Sequence, residues 1–435
     1  MTRAMPSVRS RAWRWAVLGA ACLALAGCAS WPRRYSTRPC CMEIKPTVRA
    51  TPIWWHFFDV TVVEPLEYPF GLVRPARKLF GVPIRALNAR DGVVTDSLFL
   101  TGQDPAALSP EAVTAGPTGP DDLPVPPYVV TKAKTEGQTA GFFVEDARGE
   151  RYLFKLDPVD APELLSGAEA VSSKLLYALG YHVPSYEIVR FAPGEVRVSP
   201  EAFAKGRAGT RQPFTAEDLD ALLAPRAREG GVRVVASKIL EGEILGPASF
   251  KRFRDCAEVR ALKLAYAWLN NIDAKDHNSL LVWDGQRTVG YLIDFGTSLG
   301  ADAGKGGPKA PCAGWLNIVD MREASLKLLT LGLHQAPCDV PTRPVSPAVG
   351  VFTDAVDPRA WKPYAPNLAF GELTEDDARW MARRMARLSR AQIEAAVAAG
   401  RYSDPADAAY LAETLDRRRH AIVRRYLDEG EEDQR

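Results

Sequence analysis

Several things are scarce in this chain of 435 residues, and each scarcity removes a class of function. Net charge is nearly absent: 55 Lys and Arg against 53 Asp and Glu leave a formal charge of +2. Binding along a phosphate backbone needs a concentrated basic surface, so no nucleic-acid partner is expected. Histidine is scarce as well. Five residues lie scattered, with no C-x-x-C pair near them, so the ligand spacing of a zinc site is missing. No internal repeat is found. Ala16 to Ala26 is apolar but spans only eleven residues, short of the about 20 that a helix needs to cross a bilayer. What is plentiful is length and apolar content. With 46% hydrophobic residues the chain can build one large or two ordinary domains with real cores.

The first residues read as a leader. Arg3, Arg9, Arg11 and Arg14 form a basic region ahead of the apolar stretch. The stretch ends in Leu25-Ala26-Gly27-Cys28, which resembles a bacterial lipobox. That resemblance implies a signal peptide over residues 1–27 and a diacylglyceryl group on the Cys28 thiol, with acylation (palmitate or a similar chain) of the new amine. Two or more chains give stable anchoring, where one alone is marginal. Ala29 follows, not Asp, so the expected place is the outer membrane, facing the periplasm. The expected partner there is the membrane itself, through the lipid on Cys28.

Of seven cysteines, Cys22 leaves with the leader and Cys28 is lipidated, so five remain. An odd number in an oxidising compartment leaves at least one thiol unpaired. Cys312 and Cys338 can pair in the loop-rich region between them. Residues 28–127 read as a membrane tether, an aromatic-rich extension and a linker. The extension holds Trp54-Trp55-His56-Phe57-Phe58 and Tyr68-Pro69-Phe70-Gly71. Such clusters usually pack onto a neighbouring domain; the alternative is the bilayer surface, which Trp and Phe favour. Residues 104–127, rich in Pro, Gly, Ala and Asp, read as the linker.

The body starts near Tyr128 with a strand, a turn over Lys134 to Gly141, and a hairpin around Asp146-Ala147-Arg148-Gly149. Ala168 to Leu179 reads as a helix stopped by Gly180. Val232 to Leu240 reads as a strand leading to a hinge, and Val259 to Leu269 as a second helix. Ser279–Trp283 and Thr288–Ile293 form a hairpin around Asp284-Gly285. Ala301 to Ala313 reads as a mobile loop. Thr374 caps one late helix with Asp377 three residues on, and Asp404-Pro405 starts another. A strand-rich part over 128–241 followed by a helical part over 242–435 is a two-lobed α+β order.

One constellation carries chemistry. Phosphoryl transfer needs a cation on the phosphates, metal ligands, a group to orient the acceptor, and a cover over the triphosphate. Lys155, ending a strand, can sit on the α/β-phosphates, with Glu169 as the carboxylate that holds it. Asp273, Lys275 and Asn278 stand in the spacing D-x-K-x-x-N, and the hairpin that follows ends at Asp294-Phe295-Gly296. Asp273 can orient the acceptor hydroxyl, and Lys275 can neutralise the transferring group. Asn278 and Asp294 can converge on Mg²⁺ (or Mn²⁺), which takes oxygen ligands and keeps waters. The candidate cover is the turn with Gly137 and Thr139.

Lys155, Glu169, the Asn271–Asn278 loop and Ile293–Gly296 together resemble the protein-kinase-like superfamily. The closer likeness is to its atypical branches, the HipA-like and phosphoinositide-kinase-like proteins, and to a group of uncharacterised bacterial kinase-like proteins. The resemblance implies a two-lobed kinase-like fold, ATP with Mg²⁺ as cofactors, and a phosphotransferase acting on a protein or small-molecule hydroxyl. The sequence departs from ordinary kinases: no His-Arg precedes Asp273, no G-x-G-x-x-G occurs, and no Ala-Pro-Glu follows Gly296. The acceptor is therefore not named by any motif. Nucleotidyl transfer on the same fold, and a catalytically silent binding lipoprotein, stand as alternatives.

Overall fold

A computed structural model describes residues 45, 47–48, 52–90, 92–135, 138–206, 210–318, 320–335, 338 and 343–428. Residues 1–27, which read as a leader, Cys28 and Gly137 lie outside these residues. The protein is mixed α+β, with a seven-stranded sheet followed by a mainly helical region.

The sheet is built from β1 (Tyr128–Ala133), β2 (Gly141–Glu145), β3 (Arg151–Leu156), β4 (Tyr186–Phe191), β5 (Val196–Lys205), β6 (Arg211–Pro213) and β7 (Val232–Lys238). Its spatial order is β4-β7-β3-β2-β1-β5-β6. Only β1 and β5 run parallel. The β2–β3 turn closes as its residues predict: the Asp146 carboxylate accepts the N–H groups of Arg148 (2.8 Å) and Glu150 (2.9 Å). Alternation along β3 then sorts the side chains. Tyr152, Phe154 and Leu156 enter an apolar core with Val130, Phe142 and Val234, while Leu153 and Lys155 face a cleft.

A larger core lies behind the cleft. Helix α1 (Leu164–Ala178) is buried on nearly every side and packs with α2 (Ala257–Leu269), α3 (Glu375–Ala386), α4 (Arg390–Ala398) and α5 (Pro405–Val423). Each fully buried Leu, such as Leu175 or Leu176, contributes about 2 kcal/mol by removal of apolar surface from water. Helix α1 starts four residues earlier than the pattern predicts. Asp157 supplies the reason: its Oδ1 accepts from the N–H groups of Leu165 (3.0 Å) and Ser166 (2.8 Å), a cap reached from across a loop. Gly167 inside the helix makes room for the Tyr402 ring: a Cβ there would lie 2.5 Å from its hydroxyl oxygen. The ends of α3 and α5 match their signals: Thr374 and Asp377 form a capping box, and Asp404 caps α5 with Pro405 in its first turn.

Residues 104–127 fold onto the helical core. Ser109 caps a short helix, Pro110–Ala115, whose Val113 is fully buried. Gln392 on α4 donates to the carbonyls of Pro105 and Leu108, both at 2.7 Å. Composition marks this stretch as irregular, which it largely is, but cannot reveal partners nearly 300 residues away. Ala301 to Ala313 carries a two-stranded turn, Ala301–Asp302 against Gly307–Pro308. Just beyond it, buried Lys309 donates to the carbonyls of Asn270 (2.6 Å) and Leu299. Cys312 and Cys338 are joined by a disulfide, and Cys256 is buried.

The strap that precedes the sheet is pinned to α2 by one carboxylate. Glu258 accepts from Asn88 Nδ2 (2.6 Å) and Ser97 Oγ (2.7 Å), fully buried. Burial pushes its carboxyl from the ordinary 4.5 up to about 7. The folded chain therefore holds this proton more tightly than the unfolded chain. The contribution of this group to stability is greatest below pH 4.5, falls as pH rises toward 7, and is level above it. Glu258→Gln removes the charge and can keep both contacts, its Oε1 accepting from Asn88 Nδ2 and its –NH₂ donating to the Ser97 hydroxyl once that turns to accept. Unfolding temperature followed from pH 5 to pH 8 is expected to fall less in this variant, by at most about 3 kcal/mol of stability.

Candidate functional site

The cleft between the sheet and the helical region has a volume of about 890 Å³. Lys155, Thr139, Asp273, Lys275, Asn278 and Asp294 all line it, and Glu169 stands directly behind Lys155.

Lys155 is placed by the sheet. It pairs with Gly141 on β2 and Val235 on β7, so its backbone is fixed from both sides. A Cβ at Gly141 would lie 2.4 Å from the Phe154 carbonyl oxygen, which explains glycine at that rung. The Lys155 Nζ donates to Glu169 Oε1 at 2.7 Å and to Asp294 Oδ1 at 3.0 Å. Glu169 lies in the second turn of α1 and is 1% exposed, so its carboxylate is no dipole complement at a helix end. Burial works against the Lys155 ammonium, but the Asp294 and Glu169 carboxylates overcome it and hold its pKa above the usual lysine range. Burial raises the Glu169 carboxyl to about 7 despite the ammonium beside it. Asp294 is also penalised by burial, yet Lys155 draws its pKa below the usual carboxylate range. Its side chain remains 39% exposed, toward the cleft.

Asp273 to Asn278 follow the left-handed C-cap of α2 at Asn270. Asp273 and Lys275 form an ion pair, each side chain 17% exposed. Asn278 Nδ2 donates to the Asp273 carbonyl at 2.8 Å, folding the loop back on itself. The hairpin of β9 (Ser279–Trp283) and β10 (Thr288–Leu292), with the short β8 (Glu243–Gly246) on its other side, then returns the chain to Asp294. Ile293 N–H donates to the Asn278 carbonyl at 3.0 Å, so the two candidate metal ligands stand at the joined ends of one hairpin. Asp294 has φ of 60°, in the left-handed region that Asp and Asn tolerate best. Gly296 is required by its neighbours: a Cβ there would lie 3.0 Å from both Ala303 Cβ and Glu169 Oε1.

Two residues of this site are not visible in the spacing motifs. Tyr186 on β4 accepts the Asp294 N–H at 3.1 Å and meets Phe295 edge-on, ring centres 5.6 Å apart. Burial raises its phenol pKa, so it stays neutral. Lys134 donates to the carbonyl (2.9 Å) and hydroxyl (3.2 Å) of Thr139, closing the candidate cover. Its only sequence signal is its place at the start of a Gly- and Thr-bearing turn. Gly137 falls outside the described residues. Among those described, no group of three or more His, Cys, Asp or Glu is arranged to hold a metal. The candidate set is instead one carboxylate, Asp294, and one amide, Asn278.

No protein-family model and no curated protein matches the chain. Among solved structures, that of the Helicobacter pylori proinflammatory kinase CtkA is similar over 68% of this chain and 96% of its own length. The identity is 11% and the TM-score 0.35, a likeness too slight to place the chain in a family.

Proposed function

We propose that this chain is a kinase-like phosphotransferase with a two-lobed fold, using ATP with Mg²⁺ or Mn²⁺ on a protein or small-molecule hydroxyl. The observation that carries the reading is Lys155 held by Glu169 and Asp294, with Asp273, Lys275 and Asn278 facing the same cleft. Lys132, Lys134, Lys155, Lys238 and Lys275 line it as well, a cationic wall suited to a polyphosphate. The donor chemistry fits a hard divalent ion. Asn278 commits its –NH₂ to the Asp273 carbonyl, which leaves Oδ1 as an acceptor, and the Asp294 carboxylate lines the same cleft. Glu169 Oε2 is buried without a hydrogen-bond partner, so the carboxylate serves to hold Lys155 and has no further structural duty.

In the proposed reaction the acceptor oxygen bonds to the γ-phosphorus as the bond to the bridging oxygen breaks, and ADP leaves. Asp273 takes the hydroxyl proton, and Lys275 balances charge on the transferring group. Lys155 binds and orients the α/β-phosphates, and the Lys134–Thr139 turn covers them. A bound divalent ion supplies charge neutralisation on the phosphate oxygens. The lipobox-like segment supports anchoring through lipid on Cys28, in the outer membrane and facing the periplasm.

Incubating the chain with ATP and Mg²⁺, then weighing the product by mass spectrometry, tests the reaction type. Gain of one phosphoryl group is expected. Gain of AMP would assign nucleotidyl transfer, and no gain on any offered acceptor or on the chain itself would favour a silent binding protein.

A further inference from the structure

The aromatic extension has two faces with opposite chemistry. Residues 53–67 run as one helical rod, Ile53–Phe58 passing through a wider turn, Asp59–Val63, into Glu64–Glu67. His56, Val60 and Glu64 form a buried row four residues apart. That row docks on the body. His56 meets Asp276 (3.6 Å) and stacks edge-on with His277 at 5.7 Å, both in the candidate catalytic loop, and Glu64 pairs with Lys251. The opposite row, Trp54, Phe58, Val62 and Leu66, has the same spacing and is exposed throughout. A surface helix normally turns polar residues outward, so this rod is apolar on the face that should be wet. The exposure continues: Phe70, Leu79 and Phe80 are each more than three-quarters exposed. Twelve of the 25 exposed large apolar side chains among the described residues fall between Ile53 and Val82.

We propose that residues 53–82 lie in the interface of a phospholipid bilayer, with the Trp54–Leu66 row immersed among the acyl chains. Tryptophan at the row's start suits the headgroup boundary. Arg77 and Lys78, beside Leu79 and Phe80, suit anionic headgroups. A lipid on Cys28 would not by itself impose this contact. Residues 29–51 reach at most roughly 75 Å, which leaves the body free to hang away from the membrane. The helix face supplies what the tether lacks, a fixed orientation. Ile53 borders the cleft, so immersion of this rod also sets the cleft mouth beside the membrane surface.

The test uses the full chain with vesicles of phosphatidylcholine and phosphatidylglycerol whose acyl chains carry bromine, a contact quencher of tryptophan. Flotation with the vesicles and quenched tryptophan emission are expected. The part of the quenching due to this face, beyond that of Trp31 beside Cys28, should be lost in Trp54→Phe/Trp55→Phe. Phe58→Glu/Leu66→Glu decides the face: it should lose the same part with unchanged thermal unfolding, since both side chains are exposed. Flotation without that part would mean that the anchor alone holds the protein, and overturns the proposal, as does failure to float. Absence of that part together with a Leu66→Cys disulfide between copies would make the occupant a second copy of the chain. ATP binding by the same samples reads the cleft separately, so failure of the membrane proposal leaves the phosphotransferase reading standing, and the reverse.

Discussion

Replacing Lys155 by methionine is expected to abolish nucleotide binding and to make stability fall steeply with pH. Methionine keeps the apolar stem but removes the ammonium that both Glu169 and Asp294 contact. Asp294 can turn toward solvent, being 39% exposed, and Glu169 at 1% cannot. An unpaired buried carboxylate costs about 3–5 kcal/mol, unless it takes up a proton. Glu169 already sits at about 7 with the ammonium beside it, so loss of that ammonium carries it higher still. An acid whose folded pKa exceeds its unfolded value loses stability as pH rises from the unfolded value to the folded one. The variant should therefore unfold near the wild-type temperature at pH 5 and well below it at pH 8. Adding Glu169→Gln should restore stability at pH 8 without restoring nucleotide binding. A double variant that regained ATP binding would remove Lys155 from the site.

Replacing Asp294 by asparagine is expected to act on binding and leave the fold intact. Asparagine tolerates the left-handed backbone at this position, which alanine would adopt at a cost of about 1 kcal/mol. It also preserves the N–H donated to Tyr186. What it removes is the charge that pairs with Lys155 and faces the cleft, while the neutral Oδ1 can still accept from the ammonium. Loss of residues that merely support metal ligands lowers metal affinity about 10–100-fold, so loss of a direct carboxylate ligand should cost at least about 100-fold. Isothermal titration of ATP, with and without Mg²⁺, reads this directly. The Mg²⁺-dependent part of the affinity should vanish, while any weak binding through Lys134, Lys155 and Lys275 persists.

How much of this was legible beforehand follows the range of the interactions. Helix α2 and the β9–β10 hairpin were visible because periodicity and an Asp-Gly turn act over a few residues. That Asn278 and Asp294 stand at the two ends of one hairpin is legible for the same reason. The Lys155–Glu169 pair is also short-range, spanning fourteen residues. Tyr186 was not, because its link to Asp294 spans 108 residues and an isolated tyrosine in a strand has no local mark. The start of α1 carries no local mark because the residue at its N-cap position, Glu163, makes no capping bond, and Asp157 caps the helix from the far end of the preceding loop. The aromatic extension reads as packing onto a neighbouring domain, with the bilayer surface as the alternative; the structure packs the row His56, Val60 and Glu64 and leaves Trp54, Phe58, Val62 and Leu66 exposed.

The proposed function requires a cleft that takes a nucleotide with a divalent ion. Thermal unfolding of the full chain in the presence of ATP, with Mg²⁺, with Mn²⁺ or with a chelator, tests it most directly. A ligand that binds only the folded state raises the unfolding temperature in proportion to its occupancy. The predicted result is a clear rise with ATP and either ion, reduced by the chelator and absent in Asp294→Asn. An equal rise in wild type and variant, or none under any condition, would contradict it.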